Sequence, residues 1–154
     1  MGLVSEPLQP AELDMLAISQ SAVIDAGALE TLDLELTPAA TILTPHAGEL
    51  EKLQARFGLV SSGDPRVDAI ALAAAQQRYV LLKGSTTYLA APDSTNQDVG
   101  PNSPWLATAG TGDVLAGILG ALLAANREVI AVDPSKVLEV AELAIRLQSR
   151  AADL

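Results

Sequence analysis

Tyr79-Val80-Leu81-Leu82-Lys83-Gly84 decides how this chain is read. Its apolar run has no polar residue at alternate places, so it predicts a strand buried on both faces, as in a parallel sheet. The run ends in Lys-Gly, which puts a cation and a flexible turn at the strand's carboxyl end, where open α/β sheets bind ligands. On its amino-terminal side, Ala22-Val23-Ile24-Asp25 and Thr41-Ile42-Leu43-Thr44 predict two further short strands, the second stopped by Pro45. Helices are expected between them: Ala28 to Leu34, then one opened by Gly48-Glu49 with Leu50, Leu53 and Phe57 on a single face, then one from Pro65 to about Arg78 carrying Val67, Ile70, Leu72, Ala74 and Ala75. On the carboxyl-terminal side, Thr86 to Ala91 predicts a hairpin partner and residues 92–104 a polar loop. Asp113 to Ala125 is apolar all round and predicts a buried helix. Ser135 to Leu154 predicts an amphipathic one capped by Ser135. The stretch PAELDMLAISQ within residues 1–20 predicts a short helix. This order of elements describes a mostly parallel α/β sheet with an appended hairpin.

Composition supports a packed domain and narrows its partners. The 154 residues fit one core, with 49% hydrophobic and only 3% aromatic side chains, so Ala, Leu, Val and Ile must build it. A net charge of −10 argues against nucleic-acid and anionic-membrane surfaces. The absence of cysteine excludes disulfides and zinc–thiolate sites. MGLVSEPLQPAELD has neither a basic nor an apolar region, so no signal peptide is expected and a cytoplasmic protein is the default.

Two constellations carry chemistry. Gly110-Thr111-Gly112-Asp113 opens the predicted apolar helix. Glycines permit close backbone approach, and free N–H groups of a first turn favour an oxyanion or phosphate. Asp113 is then either a helix cap or a base held over that anion. The Gly-Lys-Ser/Thr ending of a Walker loop is missing, and no Gly-x-Ser-x-Gly elbow exists. Lys83-Gly84-Ser85-Thr86-Thr87 adds a cation and three hydroxyls at the sheet edge, and together the two segments predict a nucleotide site. His46, the single histidine, lies at the same predicted edge as a ligand contact or an acid/base group. Glu49 could complement a helix N-terminus, and Asp25 could line the edge or simply cap a loop. Trp105 reads as a lid or rim residue. No cluster has metal-ligand spacing, so no metal residue is assigned.

The segments Thr44-Pro45-His46-Ala47-Gly48-Glu49-Leu50, Leu82 to Thr87, and Ala107-Thr108-Ala109-Gly110-Thr111-Gly112-Asp113-Val114-Leu115-Ala116-Gly117 resemble the ADP/ATP-dependent NAD(P)H-hydrate dehydratases of the ribokinase-like superfamily. The match runs from about Val23 to the end. It departs from the family at Gly27, where an acid is usual, and at Ala47, where proline is common. The resemblance implies a three-layer αβα ribokinase-like fold over residues 1–154, one partial domain shortened on its N-terminal side, with residues 1–20 divergent. It implies a carbon–oxygen lyase that repairs hydrated NADH or NADPH by phosphorylating the added hydroxyl and eliminating phosphate. Asp113 would be the base and would touch the hydrate, with His46, and Asp25 beside them, on the substrate side. Lys83, Gly84, Ser85, Thr86 and Thr87, with Gly112, would hold ADP or ATP, and Gly110, Thr111 and Gly112 would face the transferring phosphoryl. Mg²⁺ is expected with the nucleotide, although no carboxylate pair stands out as its ligand. A sheet lacking its first strands would leave an exposed edge, so a homo-oligomer is expected. A ribokinase-like kinase of small alcohols and an inactive nucleotide-binding remnant are the alternatives.

Overall fold

A computed structural model describes residues 9–31 and 33–154. Residues 1–8, part of the divergent segment, lie outside the described residues. One five-stranded sheet, ordered β1-β2-β3-β4-β5, organises the chain. β1 (Ser21–Ile24), β2 (Ala40–Leu43) and β3 (Tyr79–Leu82) are parallel, while β4 (Thr87–Ala90) and β5 (Asn96–Val99) continue antiparallel. Helices α1 (Pro10–Ile18), α2 (Gly27–Thr31), α3 (Ala47–Phe57) and α4 (Pro65–Gln76) precede β3 or connect the parallel strands; α5 (Thr111–Ala125), α6 (Arg127–Val132) and α7 (Lys136–Ala152) follow β5.

The strands read as continuous apolar runs because both faces are covered. Ile42, Tyr79, Leu81, Leu89 and Val99 point to α5–α7 and pack with Leu115, Leu119, Leu123, Ile130 and Ile145. Their neighbours Ile24, Leu43, Val80, Leu82 and Ala90 point the other way, onto Leu29, Leu50, Leu53, Ala69 and Leu72. Alternation along each strand therefore yields two cores and three layers. Leu81, Leu89 and Leu119 are fully buried, each contributing about 1.5–3 kcal/mol of apolar transfer. Among the described residues no helix is long and apolar enough to cross a membrane.

Four expectations are corrected. The polar stretch 92–104 contains β5, whose Asn96, Gln97 and Asp98 stay polar because an edge strand faces water. Arg66 of α4 pairs with Asp98 and lies over the Tyr88 ring, tying the hairpin to α4. The apolar helix α5 is not buried all round: Leu115, Leu119 and Leu123 face the sheet, while Val114 is 55% exposed and Gly117, Gly120, Ala121 and Ala124 are also exposed. Small residues on every side suit burial, yet they do not supply a covering layer. Ser135 occupies the cap position of α7, but its hydroxyl bonds Asp133 Oδ1 at 2.6 Å instead of capping the helix.

The fourth correction concerns α4, where Val67 lies outside the core and Asp68 lies within it, 5% exposed. Burial alone would push the Asp68 carboxyl up. The Ser61 hydroxyl at 2.6 Å and the Ser62 N–H at 2.7 Å outweigh it and hold the group at about 2. A depressed folded-state value means that the anchor stabilises the fold above the ordinary value of 3.8 and is lost as pH falls toward 2. The full contribution is about 2 kcal/mol. Asp68→Asn should lower stability at pH 7 and flatten the decline between pH 4 and 2 in urea unfolding. An unchanged acid limb would rule the anchor out.

Candidate active site

The parallel register carries on past the strand ends and gathers three side chains at one edge. Thr44 N–H and hydroxyl both donate to Ile24 O, and Lys83 N–H donates to Pro45 O at 2.8 Å. A further parallel bridge pairs His46 with Lys83. Asp25 follows β1, His46 follows β2 and Lys83 follows β3, so the three predicted positions do converge. They are not three free ligands, however. Lys83 Nζ lies 2.7 Å from Asp25 Oδ1 and 3.9 Å from Glu49 Oε2. The Lys83, Asp25 and Glu49 side chains are only 22%, 14% and 12% exposed, so their attraction is poorly screened by solvent. Asp25 is thus an ion-pair partner and not a loop cap.

His46 has a structural role at this edge. It is the cap of α3: its Nδ1 accepts from the N–H groups of Gly48 at 3.0 Å and Glu49 at 3.3 Å. Glu49 Oε2 accepts in return from His46 N–H at 2.8 Å, completing a capping box. These hydrogen bonds assign the proton of the neutral ring to Nε2. Only that nitrogen is open, on a side chain 60% exposed and 3.6 Å from Glu49 Oε2. Nδ1 cannot serve as a base while it caps the helix.

The glycine loop closes over this cluster. Gly110, at φ +89°, takes the left-handed conformation that reverses the chain into α5. Thr111 opens the helix, with its single hydroxyl proton shared between Leu106 O and Thr108 O, both at 2.8 Å. Gly112 rests on the ion pair: a Cβ there would stand 3.4 Å from Lys83 Nζ and 3.6 Å from Asp25 Oδ2. Asp113 is the third helical residue, not the cap, and it is exposed. The first turn of α5 therefore directs N–H groups and a partial positive charge toward the edge that holds Lys83.

The second loop is as compact. A Cβ on Gly84 would meet Thr86 O at 2.9 Å, closer than carbon and oxygen tolerate. Asn102 braces the turn: its Nδ2 donates to Gly84 O and Thr87 Oγ1, both at 2.8 Å, and its N–H to Ser85 O at 2.9 Å.

Between the loops lies a cavity of about 600 Å³ walled by Lys83, Gly84, Ser85, Thr87, Thr111 and Gly112, with His46 at one side and Leu106, Leu115 and Ile145 as apolar surfaces. Thr86 lines an adjoining cavity of about 420 Å³ beside α3 and α4, which shares Lys83, Gly84 and Ser85 with the first. Gly110 and Asp113 are exposed and do not line the larger cavity. Trp105 stands on the one-turn 3₁₀ segment Pro104–Leu106 and is 72% exposed, while Pro104 and Leu106 beside it line the cavity.

Reading the residues alone missed Asn102, Gln148 and the inward role of Glu49. Gln148 had a legible signal. It follows Ala141, Ala144 and Ile145 on the buried stripe of α7, where a polar residue calls for a partner. That partner is Thr111 O, 2.6 Å from Gln148 Nε2.

The family model described as NAD(P)H-hydrate dehydratase matches residues 1–154. A bifunctional NAD(P)H-hydrate repair enzyme of Corynebacterium glutamicum is 38% identical over 138 residues, covering 80% of this chain and 24% of that protein. The crystal structure of the ADP/ATP-dependent NAD(P)H-hydrate dehydratase of Bacillus subtilis, co-crystallised with ATP/Mg²⁺, superposes with a TM-score of 0.70 at 28% identity, over 92% of this chain and 48% of that one. A ribokinase-like superfamily protein of Enterococcus faecalis, 21% identical with a TM-score of 0.50 over 93% of this chain and 61% of that one, shares the fold. The chain spans about half the length of the Bacillus protein and about a quarter of the curated relative. With the glycine loop, the Lys83 edge and the three-layer sheet in place, the chain belongs to the NAD(P)H-hydrate dehydratase family and has a ribokinase-like fold.

Proposed function

We propose that the chain carries the nucleotide-side machinery of an ADP- or ATP-dependent dehydratase that restores NADH or NADPH from the hydrated form. The observation that carries this reading is the seating of Gly112 on the Lys83–Asp25 pair at the mouth of a cavity of about 600 Å³. Lys83 and the N–H groups of the first α5 turn, with Gly84, Ser85, Thr86 and Thr87, hold the nucleotide's phosphates and adenosine, and Gly110 to Gly112 face the transferring phosphoryl. Asp113, exposed above that turn, accepts the proton of the hydrate hydroxyl as its oxygen bonds phosphorus and the nucleotide's bridging P–O bond breaks. The ring C–O bond then breaks and phosphate leaves. Loss of a proton from the neighbouring ring carbon restores the double bond. His46 offers Nε2–H to the hydrated dinucleotide.

Mg²⁺ belongs to this reading, and the donor set fits it. Among the described residues no three acidic or histidine side chains are gathered as a ready-made metal cage. Asp25 and Glu49 nonetheless flank Lys83 beside the glycine loop. Magnesium is commonly held by one or two carboxylates together with phosphate and water oxygens, so these two residues would hold it. When bound, the ion neutralises phosphate charge and orients the transferring group.

Incubating the protein with hydrated NADH and either ADP or ATP should restore the NADH absorbance with release of phosphate. Phosphorylation of a simple alcohol without any such recovery would assign the cavity to a kinase instead. The acidic, cysteine-free sequence fits a cytoplasmic enzyme of small molecules with no nucleic-acid partner.

The same reading includes assembly with a second copy. β1 pairs only with β2 among the described residues, and the adjoining outer side of α5 leaves Val114 exposed. A free parallel edge beside an apolar helix face invites a covering chain. Light scattering should give a mass above one chain; a well-folded monomer would count against it.

A further inference from the structure

We infer that Gln148 and Asn102 are positioning residues, joined through Ser149 and Ser103 into one network that sets the separation of the two nucleotide-binding loops. The inference rests on the nucleotide reading of the cavity and assigns work to residues outside the loops themselves.

Each residue spends its side-chain amide on a loop. Gln148 Nε2 donates to Thr111 O at 2.6 Å, gripping the first residue of α5 next to Gly112. Asn102 Nδ2 donates to Gly84 O and Thr87 Oγ1, and its N–H donates to Ser85 O. The two grips are connected. Ser149, which follows Gln148 on α7, accepts at Oγ from the N–H of Ser103, which follows Asn102, at 3.1 Å. Hydrogen bonds therefore lead from Thr111 through Gln148–Ser149 and Ser103–Asn102 to Gly84, Ser85 and Thr87, round the wall of the cavity.

The arrangement has energetic consequences. Gln148 is 8% exposed and Ser103 7%, so water cannot replace bonds lost from either. α7 packs along α5 and contributes Val137, Ala141, Ala144 and Ile145 to the core, which makes it a rigid frame. A loop held on such a frame needs no ordering when phosphate arrives, and pre-organised donors are worth more than mobile ones. Movement of one loop is resisted by the other through Ser149, so the two grips should be coupled and not additive.

The test is a double-mutant cycle on ADP affinity by calorimetry, with the melting temperature recorded for each protein. Gln148→Met keeps length and loses the donor; Asn102→Ala removes the side-chain bonds of the second grip and leaves the N–H bond to Ser85 O. Each should weaken ADP binding about tenfold, and the double variant should be little worse than the weaker single one. Ser149→Ala removes one acceptor at a half-buried site and should keep the fold. It should by itself weaken ADP several-fold and make the Gln148 and Asn102 effects additive. Gln148→Asn, which keeps the amide on a shorter stem, should regain part of the affinity lost in Gln148→Met. Lowered melting temperatures with unchanged ADP affinity would overturn the positioning role, and additivity in the Ser149 background and the parent alike would overturn the network. A parent protein that binds no ADP at millimolar concentration overturns the nucleotide reading itself, an outcome distinct from both.

Discussion

Asp113→Asn is expected to lower the rate of NADH recovery by about 10²–10⁴-fold, the range for loss of a positioned general base. ADP affinity should stay within a few-fold of the parent. The two effects separate because Asp113 stands exposed at the third position of α5, away from the cavity wall, while the phosphate-facing N–H groups belong to the backbone that the substitution leaves intact. Asparagine has the same shape and cannot accept the hydroxyl proton. Single-turnover measurements with saturating nucleotide are the proper check, since they exclude release of product as the limiting step. A rate equal to the parent's would remove Asp113 from the proton transfer. A parallel collapse of ADP affinity would mean that its charge serves binding instead.

Lys83→Met is expected to act on both stability and binding. In the parent, Nζ lies between Asp25 Oδ1 and Glu49 Oε2, and both carboxylates are largely withdrawn from water. Without the cation, two like charges remain close to Gly112 with no compensating partner. Stranding a poorly solvated charge costs several kcal/mol when burial is complete, and about 1–3 kcal/mol is expected for this partly solvated group. ADP affinity should fall at least tenfold, because the sheet edge loses its cation just where the phosphates would lie. Adding Asp25→Asn removes one stranded charge, so the double variant should regain much of the urea stability and little of the affinity. A single variant as stable as the parent would show that the pair is fully solvated. Recovery of ADP binding in the double variant would show that Lys83 serves only to neutralise Asp25.

Local patterns were legible wherever one residue's chemistry constrained its own neighbourhood. The uninterrupted run from Tyr79 to Leu82 could only be a strand covered on both sides, and it is. Pro45 and Pro65 marked a strand end and a helix start. The glycines at 110 and 112 announced a positive φ or a close approach: Gly110 takes the first, at φ +89°, and Gly112 makes the second, against the Lys83 and Asp25 side chains. β5 was hidden because Asn96, Gln97 and Asp98 lack apolar alternation, which an edge strand does not need. Asp68 was hidden because a carboxylate in the core is satisfied by Ser61 and Ser62, a partnership that composition cannot announce.

By itself, then, the sequence determined four of the five strands, most helix starts, the two glycine-bearing loops and the family, since each depends on short-range sterics or on a contiguous motif. Only the tertiary structure decided how the charges are used. Lys83 and Asp25 are 58 positions apart and meet through the parallel register. His46 is turned outward by the helix it caps, and Glu49 is drawn inward toward Lys83. Gln148 reaches Thr111 across 37 positions because α7 packs on α5. Such pairings follow from where the sheet and the helix packing place each backbone, and no local pattern encodes that distance.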